Sequence, residues 1–263
     1  MSKSGYYRWQ SRKTYKNESK RNKLKLHVQE VFDQSNESYG YRRVFKELRR
    51  RDIACYKNQI AHIMRVNEIA PKRKRKFKYS SNSSEDNPVA PNLLKRNFTV
   101  DKINKVWVSD ITYLWTSEGW LHLSVILDLG SRNVVSWRLQ DSLGEEIVTD
   151  ILERAIKERK PEKGLIFHSD RGSQYRSNRL IKLIEDNGYK QSMSRKANCW
   201  DNAVAESFFS TLKRELVYRK KFKTKKQARM EVFNYIEVFY KRVRLHSTIG
   251  DIPPAEYERN LFY

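Results

Sequence analysis

The chain has little cysteine: only Cys55 and Cys199, far apart, with no C-x-x-C pair. A disulfide framework and a cysteine-rich zinc site are therefore excluded, and both thiols are expected to be buried and inert. The five histidines are scattered with no two at ligand spacing, so a zinc finger is not this chain's route to a nucleic acid. No run approaches the ~20 apolar residues that a membrane span needs, and the opening "MSKSGYYRWQSRK" lacks the apolar core of a signal peptide. A soluble intracellular protein is expected. Acidic residues are scarce as well: 31 Asp+Glu against 54 Lys+Arg leave a net +23, the sign expected of a chain that meets phosphate backbones. With 38% hydrophobic and 12% aromatic content over 263 residues, disorder throughout is excluded, and there is chain enough for one good core plus a smaller module.

The positive charge is concentrated. Between Gly40 and Lys78 stand 14 Lys/Arg against three acids, Glu47, Asp52 and Glu68. Within that stretch "YRRVFKELRRR" repeats Val44 and Leu48 at helical spacing, and "KNQIAHIMRVNEI" does the same with Ile60, Ile63 and Met64. Two or three short basic helices joined by tight turns suit a small all-α helix-turn-helix-like module over 1–78. Arg42, Arg43 and Lys57 are its candidate DNA contacts, with Arg73 and Arg75 in the phosphate-binding cluster "KRKRKFK". The bland alternative is a solvated helical hairpin that binds nothing.

Next, "YSSNSSEDNPVAPN" loses apolar periodicity and gathers Ser, Asn and Pro, which marks a linker over 79–97. "KVWVSDITYL", "WLHLSVILDL" and "NVVSWRL" then read as a β-meander broken by "TSEG" and "GSR". "LGEEIVTDILERAIKERK" reads as a helix, "GLIFHSD" as a strand buried on both faces, "SNRLIKLIEDNGY" as a helix closed by Gly188, and "KQSMS" as a last short strand. The order is β-β-β-α-β-α-β and then helices, an α/β domain over 98–221 with a helical extension over 222–263. In that extension Ala228, Val232, Tyr235, Ile236 and Phe239 form a stripe expected to be core.

Three acids stand out by their setting. Asp110 interrupts the strand "KVWVSDITYL", Asp170 closes "LIFHSD", and Glu206 follows "CWDNAVA" on a helix. An unpaired buried carboxylate is costly, so each must be paired, open to water or metal-bound. Three hard oxygen donors without soft ligands nearby suit magnesium or manganese. Each also has a plain reading: an ion pair in a sheet for Asp110, a turn aspartate for Asp170, a helix-dipole partner for Glu206. Asp128 and Asp141 compete less well, "ILDLGSR" reading most simply as a strand-to-turn aspartate.

These segments carry a resemblance. "WVSDITYL", "HSDRGSQY" and "NAVAESFFSTLKREL" resemble the three signature segments of DDE transposases of the family-three insertion sequences, relatives of retroviral integrases. Between Asp170 and Glu206 lie 35 residues, the spacing of that group, and Lys213 falls seven after Glu206, where the family carries a basic residue. "SGYYRW", "YGYRRV" and "RVRLHSTIGDIPPAEYE" extend the resemblance over nearly the whole chain. Lys241 and Ile252-Pro253 depart from the family's usual asparagine and Thr-Pro, and nothing corresponds to the His/Cys zinc module of retroviral integrases.

The resemblance implies an RNase H-like catalytic core, a mixed five-stranded sheet with helices, in which Asp110 and Asp170 lie on adjacent strands and a later helix brings Glu206 over them. It implies two Mg2+ or Mn2+ ions, Asp110 bridging both, Asp170 on one and Glu206 on the other. Water attack would free a 3′-OH at an element end, and that hydroxyl would then attack DNA in strand transfer, through a circular intermediate. Lys213 and Arg171 would hold phosphates, with His168 and Gln174 shaping the site or touching DNA. The implied partners are double-stranded DNA (terminal inverted repeats and target), further copies of the chain on that DNA, and an upstream-frame helix-turn-helix protein made as a frameshift fusion; the chain itself reads as the catalytic second frame. The implied setting is the bacterial cytoplasm, at the nucleoid.

Two other classes compete. His168 and Arg171 form an H-x-x-R pair that, with a downstream tyrosine such as Tyr218, would suit a tyrosine recombinase. A non-enzymatic DNA-binding regulator would use residues 40–78 and leave the three acids unexplained.

Overall fold

The computed structural model of the chain describes residues 2–3, 6–7, 15–71, 89–195 and 199–261, of which 15–19 and 199–200 by their backbone alone. The chain divides into two units, Met1–Arg73 and Lys74–Tyr263.

The first unit is helical: α1 (Tyr15–Gln34), α2 (Tyr41–Arg50) and α3 (Lys57–Val66). Leu24, Val28 and Val31 repeat at helical spacing on α1 and bury one stripe against Val44 and Leu48 of α2 and Ile60, Ile63 and Met64 of α3, with Tyr39 and Cys55 beneath the turns. The basic residues do not all remain available. Glu47, itself buried, accepts from Arg50 Nε at 3.0 Å and Arg51 Nε at 2.8 Å. Arg51 also reaches Glu30 and Gln34 on α1. Arg73 and Arg75 lie outside the described residues.

The second unit is built on a five-stranded sheet in the order β3-β2-β1-β4-β5. β1 (Val106–Thr116), β2 (Gly119–Asp128) and β3 (Val134–Gln140) form the antiparallel meander, while β4 (Ile166–Ser169) runs parallel to β1 and β5 (Lys190–Met193) parallel to β4. The sheet is therefore mixed, because chain passing through α4 (Glu146–Arg159) and α5 (Asn178–Asp186) returns each time in the same direction. These two helices cover one face, where Trp107, Ile126, Ile147, Ile151, Phe167 and Ile184 share a core cluster. Gly188, at φ +70°, makes the left-handed turn that ends α5, its N–H donating to Glu185 O at 2.8 Å.

On the other face α6 (Ala203–Glu215) lies against β1. Then come α7 (Lys225–Phe233), which runs on as a π-helical stretch over Asn234–Tyr240, and α8 (Pro254–Asn260). Ala228, Val232, Tyr235, Ile236 and Phe239 are all buried. Trp137 of β3 donates its indole N–H to Glu237 at 2.8 Å, Tyr240 meets Phe208 of α6 edge-on, and Glu258 accepts from Ser131 and Asn133 at the β2–β3 turn. The extension is thus built into the core of the second unit.

Of the expected linker 79–97, residues 79–88 lie outside the described residues, and 89–97 belong to this unit. Leu94 is buried, Leu93 N–H donates to Ser192 Oγ at 2.9 Å, and Asn92 and Arg96 bond Asp201. The Pro and Asn content that signals a linker serves here a segment held by side-chain bonds rather than by strand pairing. Among the described residues no helix is long and apolar enough to cross a membrane.

Candidate active site

The register of β1 and β4 pairs Val108 with His168, and two residues further along each parallel strand stand Asp110 and Asp170. Asp170 is the first residue past the end of β4, and Glu206 lies in the first turn of α6, which leans on β1. Asp110 Oδ1 accepts from Ile111 N–H at 2.8 Å, and Asp170 Oδ1 from Gly172 N–H at 2.9 Å. The second oxygen of each receives no hydrogen bond from the described residues.

The charges of these groups act on one another. Burial pushes the Asp110 carboxyl well above its ordinary range, and the negative charges of Asp170 and Glu206 push it further; the Ile111 N–H and Lys213 pull the other way. Burial also raises Asp170, opposed by the Gly172 N–H and the Arg176 guanidinium, and raises Glu206 together with the charge of Asp170. Lys213 is lowered by burial and held up by Asp110. The fold thus brings Asp110, Asp170, Glu206 and Lys213 together. Side chains as they stand form no ready cage: among the described residues no three His, Cys, Asp or Glu groups are placed to hold one ion.

Three supporting residues have no sequence signal of their own. Ser109 Oγ gives its proton to Val125 O at 2.9 Å, so the fully buried Tyr175 hydroxyl is the donor in its 3.0 Å bond to Ser109. Burial and the nearby Asp110 and Asp170 push that phenol well up, which fixes it as a neutral donor. Arg176, 6% exposed, supplies positive charge beside Asp170.

The competing residues fall elsewhere. His168 is fully buried, its ring bonded to Ser192 Oγ at 2.8 Å and Asp201 O at 3.0 Å, and burial lowers its pKa; contact with DNA is ruled out by its depth. Arg171 Nε donates to Ser194 O at 2.8 Å and Gln174 Nε2 reaches Leu143 O at 3.5 Å. An H-x-x-R pair on a helix is therefore absent: His168 sits in a strand's core and Arg171 ties down the end of β5. Asp128 is the expected turn aspartate, accepting from Gly130 and Ser131 N–H groups, and Asp141 pairs with Lys225 and Arg229 at the surface.

Residues 101–199 and 206–262 match two models of the integrase core domain, and residues 19–77 match an HTH-like domain. The chain is 38% identical over 257 residues to the insertion element IS600 uncharacterized 31 kDa protein of Shigella sonnei, covering 98% of this chain and 94% of that one. It is 36% identical over 262 residues to the transposase InsF for insertion sequence IS3A of Escherichia coli strain K12, covering 98% and 90%. This chain belongs to the IS3 family of insertion-sequence transposases. The fold agrees: a chain of the simian T-cell lymphotropic virus intasome, solved by cryo-electron microscopy in complex with PP2A regulatory subunit B56 gamma, superposes with a TM-score of 0.51 over 78% of this chain and 67% of that one, at 14% identity.

As a DDE-type transposase it is a polynucleotidyl transferase acting on DNA, and its first unit is the HTH-like domain. Within that domain the transposase exposes Arg42 and Lys57, while the guanidinium groups of Arg42 and Arg43 lie over the rings of Tyr41 and Tyr39. One face of α3 is apolar and buried; the opposite face carries Asn58, His62 and Arg65 at i, i+4 and i+7 and has no acid. His62 Nε2 lies 3.0 Å from Arg21 Nη2 of α1, at the mouth of an open hollow of about 410 Å³ lined by Lys20, Arg21, Gln59 and Ile63.

Proposed function

We propose that Asp110, Asp170 and Glu206 are the catalytic carboxylates of this transposase and that they act on the ends of its insertion sequence. The observation that carries this reading is the mutual repulsion of the three acids, two of them at matching positions on adjacent parallel strands, with Lys213 of α6 and Arg176 opposing it. Groups held together against their own charge suit a divalent cation, which relieves the repulsion and deprotonates them. Hard oxygen donors fit Mg2+ or Mn2+, which Asp110, Asp170 and Glu206 would hold between them. When bound, the ions supply Lewis-acid stabilisation of the attacked phosphate and ease deprotonation of the attacking water or 3′-OH. The long Glu206 side chain, open to solvent in the first turn of α6, would complete the donor set.

Lys213, Arg171 and Gln174 are read as phosphate contacts around that site, and Tyr175 and Arg176 as the groups that keep the two aspartates in place. In the HTH-like domain α3 presents Asn58, His62 and Arg65 to base edges, while Arg42, Arg43, Lys57 and the Arg73–Arg75 cluster meet the backbone. Terminal inverted repeats and target DNA are the substrates. Pairing two ends requires more than one copy, with the upstream-frame protein as a further partner, in the bacterial cytoplasm.

The test uses element-end duplexes with magnesium. Asp170→Ala is expected to bind ends normally and cleave nothing; robust cleavage by that variant would overturn the assignment. A covalent tyrosyl-DNA adduct on a denaturing gel would favour the tyrosine-recombinase chemistry instead.

A further inference from the structure

Five residues before Glu206, in the 3-10 turn Cys199–Asn202 that leads into α6, Asp201 is completely buried. Its Oδ2 accepts from Asn92 Nδ2 at 2.9 Å, Arg195 Nε at 2.9 Å and the Arg195 main-chain N–H at 3.1 Å. Its Oδ1 accepts from Arg96 Nε at 3.0 Å and Arg195 Nη2 at 3.1 Å. One carboxylate thus joins the segment before β1, the exit of β5 and the entry to α6. The Arg195 guanidinium, foremost among these, holds it far below the usual carboxylate range.

The same turn is fastened to both aspartate-bearing strands. Asp201 O lies 3.0 Å from His168 Nε2; a carbonyl can only accept, so Nε2 carries the proton, and the neutral ring's Nδ1 accepts from Ser192 Oγ. His168 is two residues before Asp170. On the other side Asn202 Nδ2 donates to Ser109 O at 3.4 Å, the residue before Asp110. Asparagine at a helix N-cap ordinarily caps with its side-chain oxygen. Asn202 makes no such cap on α6, and its buried Oδ1 has no hydrogen-bond partner among the described residues. Attachment to β1 has taken precedence over helix capping, a local loss that makes sense only where the position of α6 matters more than its stability.

We infer that Asp201 is the positioning residue that seats Glu206 over Asp110 and Asp170, and that Asn92 and Arg96 are part of that device rather than of a linker. A buried carboxylate paired with half-exposed arginines gains little stability compared with apolar packing, but its fixed donors set orientation. The inference rests on the carboxylate triad proposed above.

The test compares full-length Asp201→Asn with wild type, with Asp170→Ala, and with Val232→Ala, a core truncation in α7 that destabilises without touching the turn. Strand cleavage of end duplexes in Mg2+, duplex affinity, and Mn2+ binding to the DNA complex followed by electron paramagnetic resonance are measured on each. Asp201→Asn is expected to keep duplex affinity, to cleave about 10- to 100-fold more slowly, and to need several-fold more Mn2+ for half-occupancy. Val232→Ala is expected to keep both near wild type below its melting temperature. Asn92→Ala, which removes one donor at the rim of the cluster, should move both readouts the same way by a smaller factor, and it stands in if Asp201→Asn does not fold. Wild-type rate and Mn2+ binding, or losses equal to those of Val232→Ala, would overturn the inference. Cleavage by Asp170→Ala would instead overturn the triad itself.

Discussion

Arg244 lays Nε on Glu215 Oε2 at 3.0 Å and Nη2 on Oε1 at 3.1 Å, a buried two-point ion pair that fastens the end of α6 to the chain beyond the π-helical stretch. The charge of Glu215 raises Arg244 against its burial, and Tyr235 adds a 2.8 Å bond to the same carboxylate. One end of the helix bearing Glu206 is therefore held by Asp201 and the other by residues near the C-terminus.

Removing one partner of such a pair leaves an uncompensated buried charge. Glu215→Gln is expected to cost about 3–5 kcal/mol in the catalytic domain's unfolding free energy, measured by urea denaturation. A chain ending at residue 221 should fail to give a cooperative transition, since Val232, Ile236 and Tyr240 leave the core with it. A truncated chain melting near the full-length midpoint would show the extension to be dispensable.

The Asp201 cluster makes a pH-dependent prediction. In the unfolded chain an aspartate titrates near pH ~3.9. In the fold Arg195 holds Asp201 well below that, so its stabilising contribution is complete above the unfolded value and is lost as pH falls through the folded one. Thermal midpoints of wild type and Asp201→Asn should differ by a constant amount from neutral pH down to about pH 5 and converge below about pH 4. A gap that stayed constant down to about pH 3 would mean that the ionised form is not what the arginines bind.

Much of the domain was legible in local pattern. Alternating and continuous apolar runs gave β1 to β5 and the helices between them, since burial of one or both faces writes itself into residues two or four apart. Asp110 and Asp170 were conspicuous because acids are rare in such strands. What the chain could not display locally was who meets whom. Tyr175 and Arg176 look like ordinary turn residues until the turn is folded beneath two aspartates. His168 was expected to shape the site or touch DNA, yet the strand continues one residue past it and its ring is enclosed. Arg50 and Arg51 counted as free positive charge until Glu47, one turn away, claimed both. Segment 89–97 has the composition of a linker but is held by Asp201, more than 100 residues on.

The first unit allows contacts that read bases to be separated from contacts that only position the duplex. On the proposed reading Arg65 faces base edges from α3, Arg42 faces the backbone from α2, and Arg51 is occupied internally by Glu47, Glu30 and Gln34. Replacing each with alanine should therefore give three different signatures in fluorescence anisotropy on element-end and scrambled duplexes over a salt series. Arg65→Ala should lose about 1–3 kcal/mol on the true end and little on the scrambled one, because sequence is read by base contacts. Arg42→Ala should weaken both alike and reduce the slope of log affinity against log salt by about one, as one phosphate contact fewer releases fewer counterions. Arg51→Ala should leave the slope nearly unchanged and lower the melting temperature of the helical unit, since it breaks the tie between α1 and α2. Equal losses on both duplexes for Arg65→Ala would move α3 out of the groove and leave the HTH-like domain with backbone contacts alone.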